Sequence, residues 1–239
     1  RTGNGLNVAV GPGAEAVVQF VEVRQLVAGF VHFPIVGIGA SAGGLEAFSQ
    51  LLKSLPTDTG MAFVIVQHLD PTHSSYLREA LAKATAMPVV EIVHGVQLLP
   101  NQVFVLPSNV DLEIYECELR IIPRLVGPGI LHMPIDTFLT SLAKNCERRA
   151  IGVVLTGFGH DGTEGLRSIK NEGGFTFIQD PSTAKNSSMP ESALLAGVVD
   201  YSLPLEELAE QLSNLSGHPY YLDKETELFT EEADEKNFE

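Results

Sequence analysis

Ile35-Val36-Gly37-Ile38-Gly39-Ala40-Ser41-Ala42-Gly43-Gly44 is the stretch from which the rest of the chain can be read. Its first four residues make a short apolar run, the pattern of a buried parallel strand. The run breaks into small residues, and Leu45, Phe48, Leu51, Leu52 and Leu55 then recur at helical spacing. Ser41 therefore falls in a tight strand-to-helix turn with glycines on both sides. Such a turn has two chemical uses. Its N–H groups, at the start of a helix, can bind an anion. They can also hold an oxyanion while a serine on the turn attacks a carbonyl.

Downstream the same alternation repeats. Met61 to Gln67 is a second apolar run, ending in His68-Leu69-Asp70-Pro71. Ser74 or Ser75 can cap a helix over Tyr76 to Ala84, and Met87 to Val93 reads as a third strand. The middle of the chain differs, with short runs at Val103–Leu106, Asp111–Tyr115 and Leu119–Pro123. Leu112 and Ile114 alternate with Asp111, Glu113 and Tyr115, which suits a half-exposed antiparallel hairpin. A helix over Ile135–Cys146 leads into a buried strand, Ile151–Leu155. That strand opens into Thr156-Gly157-Phe158-Gly159-His160-Asp161-Gly162. A helix over Glu164–Asn171 ends at Gly173-Gly174, as a left-handed cap would end it. Strand Phe175–Ile178 follows, then Gln179-Asp180-Pro181. Met189-Pro190 precedes a helix to Ala196, Val198–Tyr201 is a short strand, and Leu205–Leu215 is the last helix. This order predicts a doubly wound, mostly parallel α/β sheet, a Rossmann-like three-layer α/β/α fold, with an antiparallel β-hairpin inserted.

The ends of the chain read differently. Residues 1–33 carry scattered glycines and an apolar stretch interrupted by Glu15, Glu22 and Arg24, which fits neither a membrane span nor a signal peptide. They read as an N-terminal arm or an expression remnant. Residues 34–216 read as one catalytic domain and 217–239 as an acidic tail or linker. Residues 223–239 alone hold eight acidic and two basic side chains.

Composition limits the function classes. The 239 residues are 44% hydrophobic, and 30 acidic side chains face 15 basic ones, a net charge of −15. No basic stripe invites a nucleic acid. Cys117 and Cys146 make neither a metal pattern nor a disulfide framework, and a reducing cytoplasm is the default setting. His68, His73 and Asp70 do not make a metal site, because Pro71 breaks the spacing between them.

In a doubly wound sheet, ligands bind beyond the carboxyl ends of the strands. Three predicted strands end in reactive residues there: Ser41, His68 and Asp161. A hydroxyl on a sharp turn, an imidazole to take its proton and a carboxylate to fix the tautomer make a nucleophilic triad. Each has a plainer reading. Ser41 can be a helix cap, His68 a satisfied polar residue, and Asp161 the cap of the helix that follows it. His132 and His160, on glycine-flanked loops, are weaker rivals for the base; His32, His94 and His218 have no supporting context. Gly37, Gly39 and Ala42 also satisfy the loose G-x-G-x-x-A dinucleotide pattern, with Asp70 as its acidic partner, but Asp70 falls too far along the chain.

Several separate motifs together resemble the protein-glutamate methylesterases of bacterial chemotaxis, the CheB type, from about Ile35 to Leu212. They are Gly39-Ala40-Ser41-Ala42-Gly43-Gly44, Gln67-His68-Leu69, Leu155 to Gly162, Gln179-Asp180-Pro181 and Ser188-Met189-Pro190. The resemblance implies Ser41 as nucleophile, His68 as general base and Asp161 as its partner. It implies hydrolysis of γ-glutamyl methyl esters on methylated chemoreceptor helices, with receptor glutamine deamidation in some members, and no cofactor or metal. Oxyanion and substrate contacts then fall to Ala42, Gly43, Gly157, Phe158, Gly159 and Met189, with Ala42 N–H and one N–H of Gly157–Gly159 as donors. Ala42 stands where the family usually has threonine, and Phe158 where it usually has methionine. Residues 1–33 are too short for the receiver domain that commonly precedes the esterase. The Asp180-Pro181-Ser182-Thr183-Ala184-Lys185 wording and the acidic tail are similar to members fused to a receptor methyltransferase. Two other readings stand beside this one: an esterase-like docking or scaffold module without turnover, and a dinucleotide-binding domain.

Overall fold

The computed structural model of the protein describes residues 33–67, 76–115, 117–124 and 131–215. Residues 1–32 of the expected arm, the 217–239 tail, His68, Asp70, His73 and the cap candidates Ser74 and Ser75 lie outside the described residues. The strands are β1 (Ile35–Ala40), β2 (Ala62–Gln67), β3 (Val89–Glu91), β4 (Val96–Gln97) and β5 (Gln102–Val105), then β6 (Val110–Tyr115), β7 (Glu118–Pro123), β8 (Ala150–Val154), β9 (Phe175–Gln179) and β10 (Tyr201–Leu203). The helices are α1 (Gly44–Ser54), α2 (Leu77–Leu81), α3 (Pro134–Cys146), α4 (Thr163–Asn171), α5 (Ser188–Leu195) and α6 (Leu205–Leu215).

Seven strands form one parallel sheet in the order β10-β9-β8-β1-β2-β5-β3. The chain leaves β1 toward β2 on one side and returns to β8 on the other. Strand order thus reverses at β1, and the crevice that such a reversal opens lies beyond the carboxyl ends of β1 and β8. Ser41 follows the first of these strands and Thr156–Asp161 the second.

Both sheet faces are covered, which is why β1, β2 and β8 read as continuous apolar runs. On one face Val36, Ile38, Phe63, Ile65 and Val153 pack with Phe48, Leu51 and Leu52 of α1 and Leu208 and Leu212 of α6. On the other, Val64, Phe104, Val154 and Ile178 pack with Ile135, Phe138, Leu139 and Leu142 of α3 and Leu166 and Ile169 of α4. Helix α3 lies unusually close to the sheet because β1 offers it bare backbone. A Cβ on Gly39 would sit 2.3 Å from Ile135 Cγ2, and one on Gly37 2.6 Å from Leu139 Cδ2. These two glycines therefore lie inside a strand under a helix and not in a phosphate-cradling turn, which removes the structural basis of the dinucleotide pattern.

The inserted hairpin is present as β6–β7, but β4 adds a third antiparallel strand, in the order β4-β7-β6. Leu112 and Ile114 point inward as expected. Asp111, expected on the exposed face, is buried, with His132 Nε2 2.6 Å from its Oδ1. A polar partner brought by the loop before α3 thus overrides the alternation.

Other differences concern ends. The helix expected over Tyr76–Ala84 is the single turn and a half of α2, and the third strand shrinks to Val89–Glu91. Met189 and Pro190 lie in the first turn of α5 and do not precede it, Pro being tolerated there because it needs no N–H partner. The last strand lies at Tyr201–Leu203, displaced toward α6, where its register with Phe177–Gln179 places it. The left-handed stop after α4 is as expected: Gly173 has φ 80°, and Gly174 N–H donates to Ile169 O at 2.9 Å.

The close approach at Gly39 yields a stability prediction. Gly39→Ala drives a methyl into Ile135 and should cost about 1–3 kcal/mol, the range for overpacking a filled core. Chemical denaturation checks this; unchanged stability would mean that α3 can lift freely from β1.

Candidate active site

The Ser41 turn is built from three segments far apart in sequence. Ser41 N–H donates to Thr156 O at 3.0 Å, extending the β1–β8 ladder one residue past the strands, and Gly44 N–H donates to Ser41 O at 2.9 Å. Gly43 precedes α1 with φ 82°, the left-handed conformation glycine adopts without strain. The turn thus enters α1 sharply and leaves Ser41 half-buried. Among the described residues no hydrogen bond engages the N–H of Ala42 or Gly43.

Thr156 and Asn186 clamp this turn. Thr156, 1% exposed, donates its hydroxyl to Ala42 O at 3.0 Å and accepts Asn186 N–H at 2.9 Å. The Asn186 side chain donates to the same Ala42 carbonyl at 3.2 Å. Behind them, Gln179 Oε1 accepts Thr156 N–H at 3.1 Å while its amide nitrogen donates to Thr183 O. The stem of Lys185 lies over the turn, its Cβ and Cδ 3.1 and 3.0 Å from where a Cβ on Gly43 would be. None of Thr156, Gln179 and Asn186 was expected as a site residue. The signal for two of them was available: a threonine ending an apolar strand, and a glutamine ending another.

Gly157 presses against the serine. A Cβ there would fall 2.1 Å from Met189 Sδ, 2.9 Å from Ser41 Cβ and 3.1 Å from Ser41 N. Its N–H is committed to Asn186 O at 2.9 Å and its carbonyl to Met189 N–H at 3.0 Å. Two expectations are corrected here. Gly157 cannot be an oxyanion donor, because its N–H already has a partner. Met189 cannot touch substrate, because it is fully buried and backs the Gly157 loop from below. Phe158 is 67% exposed, beside Gly159 and His160 on an open loop.

Asp161 is buried. Its carboxylate reaches the start of α3: Oδ2 accepts Ile135 N–H at 3.0 Å and Oδ1 accepts Asp136 N–H at 2.8 Å. Asp136 returns the arrangement, its Oδ1 accepting Gly165 N–H in the first turn of α4 at 2.8 Å. The two helices therefore exchange carboxylates at their positive ends, each acid neutralising the other helix's unpaired donors. The local sequence permits this because α3 opens with Pro134, which has no N–H to satisfy. Burial pushes the Asp136 carboxyl up from 3.8 to about 6; the Asp161 and Glu164 charges add to the rise, and the Gly165 and Gly162 N–H groups oppose it.

Of the three expected catalytic residues, the structure brings Ser41 and Asp161 to the ends of the adjacent parallel strands β1 and β8. His68 lies outside the described residues; β2, which leads to it, pairs Gln67 with Ala40 beside Ser41. Of the rival histidines, His132 is engaged with Asp111 and His160 is exposed.

A serine turn at the strand-order reversal, backed by a glycine loop and a buried aspartate, is the setting in which comparison with known proteins decides. The CheB methylesterase family model matches residues 36–212. The chain belongs to the CheB methylesterase family. A protein-glutamate methylesterase/protein-glutamine glutaminase of Anaeromyxobacter dehalogenans is 35% identical over 193 residues, 76% of this chain and 53% of the relative. A putative one of Leptospira interrogans is 34% identical over 180 residues, 75% of this chain and 93% of the relative. The chain thus spans about half the length of some relatives and nearly all of others. The crystal structure of the Thermotoga maritima CheB methylesterase catalytic domain superposes with a TM-score of 0.71 at 29% identity, covering 77% of this chain and all of that one. The expected three-layer fold is therefore that of the CheB catalytic domain.

Two predictions come from this geometry. Gly157→Ala pushes Ser41 from its place, and a displacement near 1 Å can cost about 10²-fold in reactivity. Labelling by a serine-directed fluorophosphonate should slow by that order, and the melting point should fall as well because the methyl also drives into buried Met189; an unchanged labelling rate would show that the turn tolerates the methyl. The second concerns Asp136. Its folded value of about 6 exceeds its ordinary 3.8, so between those values the native state keeps a proton that the unfolded chain has released. Stability from this group is present below about pH 4 and is lost as pH rises through about 6. Asp136→Asn should therefore gain on wild type by on the order of 1–2 kcal/mol between pH 4 and 7, after solvent screening of a half-buried group is allowed for. A constant difference across that range in urea titrations would contradict the raised value.

Proposed function

We propose that the chain hydrolyses glutamate γ-methyl esters on chemoreceptor helices, with Ser41 as nucleophile, His68 as general base and Asp161 as the carboxylate that orients it. The observation that carries this reading is the seat of Ser41 at the strand-order reversal of a CheB-family sheet, pressed by Gly157 and followed by helix N-terminal N–H groups that no hydrogen bond among the described residues engages. Ser41 Oγ attacks the ester carbonyl as its proton passes to His68. The oxyanion is held by Ala42 N–H with a backbone donor from Phe158–Gly159. Methanol leaves with the proton from the imidazolium, and water cleaves the acyl-enzyme by the same steps in reverse.

Glutamine deamidation at the same site is a second activity, favoured by the glutaminase half of the relatives' names. An amide carbonyl would take the same path, with ammonia leaving in place of methanol. The catalytic unit is residues 34–216, acting in the cytoplasm. On the Asp180–Lys185 wording, the fitting companion is a receptor methyltransferase domain in the same polypeptide. Among the described residues no helix is long and apolar enough to cross a membrane.

Ser41→Ala is the direct test. It should abolish methanol release from methylated receptor and fluorophosphonate labelling, with little change in melting point, because a half-buried turn hydroxyl contributes little to stability. Near-wild-type methanol release would remove Ser41 from the chemistry, and wild-type protein that neither labels nor turns over would favour a docking module.

A further inference from the structure

Lys185 has no part in the reaction scheme above, yet its place is fixed from both sides. After it, Asn186 N–H donates to Thr156 Oγ1 at 2.9 Å and Asn186 O accepts Gly157 N–H at 2.9 Å. Before it, Thr183 N–H donates to Asp180 O at 2.9 Å, and Thr183 O accepts the Gln179 amide at 3.2 Å. The backbone that carries Lys185 is thus tied to the clamp behind Ser41. The side chain lies forward over the turn, its Cβ and Cδ 3.1 and 3.0 Å from where a Cβ on Gly43 would stand. Gly43 is two residues past Ser41, and the ammonium is two bonds past Cδ. The residue as a whole is exposed. A lysine so placed rests its stem on the protein and keeps its charged head in water.

The charge of this head is unanswered. The segments that build the serine site, residues 41–44, 156–161 and 179–189, hold no other lysine or arginine. Among the described residues no carboxylate pairs with Lys185. Asp180, on the same loop, gives its Oδ1 to the Ser182 N–H and hydroxyl at 2.8 and 2.7 Å. In a chain of 30 acidic and 15 basic side chains, an open cation beside the serine stands against the prevailing charge.

We propose that Lys185 is a specificity-determining residue, its ammonium pairing with a carboxylate that flanks the ester on the substrate, so that the site prefers acidic peptide segments. The inference rests on the reading of Ser41 as the nucleophile of ester hydrolysis and names what that site selects. The scissile ester is uncharged, so before attack the ammonium finds its counter-charge elsewhere on the substrate. Each turnover supplies one: hydrolysis leaves a glutamate carboxylate, and a segment with several esters grows more acidic as it is processed. The net charge of −15 repels such a segment, and a cation at the serine turn offsets that repulsion where the ester must sit. A lysine suits the task, because an ammonium is a compact point charge with three rotatable donors and accepts a carboxylate from many angles. With its stem already laid on Gly43, it has less rotamer freedom to lose on pairing.

The test uses two peptides of one sequence, each with a single glutamate γ-methyl ester, flanked on both sides by glutamate in the first and by glutamine in the second. Methanol release gives kcat/KM on each for the full chain, Lys185→Met and Lys185→Arg. Methionine keeps an unbranched stem for Gly43 and drops the charge; arginine keeps the charge. The acidic-to-neutral ratio of kcat/KM should fall about two- to fivefold in Lys185→Met, the range of an exposed ion pair. The fall should come through KM more than kcat, and Lys185→Arg should keep the wild-type ratio. Comparing ratios between variants cancels the repulsion that the rest of the surface exerts on the acidic peptide. The difference should fade between about 0.01 M and about 1 M salt, as screening shortens the reach of the pair. An unchanged ratio in Lys185→Met overturns the inference and leaves the esterase reading in place. An equal loss on both peptides does the same, since it puts the ammonium on the reaction and not on selection. Wild-type protein that releases methanol from neither peptide overturns the esterase reading and the inference with it.

Discussion

The bare backbone of β1 under α3 is the constraint on which the rest depends. Gly37 and Gly39 let Ile135 and Leu139 settle where side chains would otherwise stand. With α3 at that depth, its first N–H groups reach the Asp161 carboxylate, and Asp136 reaches α4. Had β1 carried alanines, α3 would ride higher and its N-terminus would miss the loop after β8. Close packing of helix on sheet is usually read as a matter of stability. Here it also sets the place of a buried acid, through two hydrogen bonds whose lengths leave little play.

Much of the fold was legible because its central strands are buried on both faces. Ile35–Ile38, Met61–Gln67 and Ile151–Leu155 carry unbroken apolar runs, and no competing element has that pattern. Helix α6 matched to the residue, since Leu205, Leu208, Leu212 and Leu215 all face one core. What sequence could not supply lies where a distant partner decides. Strand β4 is two residues long and exists because Leu119 and Glu118 offer it an edge. Asp111 looked exposed by alternation, and only the loop before α3 gives it His132 as a reason to be inside.

The site divides in the same way. The turn that carries Ser41 could be read from local pattern alone, being a feature of ten contiguous residues. Asp161 was also read as a possible cap of the helix that follows it; the N–H donors its carboxylate accepts from, those of Ile135 and Asp136, lie on α3. Gly157 and Met189 were taken as groups facing substrate; their packing beneath Ser41 depends on where α5 docks, which the Met189-Pro190 pattern that announces the helix does not give. Thr156 and Asn186 went unseen for that reason. Each makes sense only once the other is present, since the hydroxyl and the amide converge on one carbonyl, that of Ala42.

That convergence bears on how the protein is made. Thr156 and Asn186 meet Ala42 across 114 and 144 residues of chain. A ribosome delivers the serine turn before its clamp, and contacts of such long separation close only after much loop entropy has been overcome. The nascent chain therefore holds Ser41 on an unfinished turn until Thr156 and Asn186 have both emerged. The clamp closes only when the segment after β9 docks, and a chain interrupted before that segment keeps the serine turn without it.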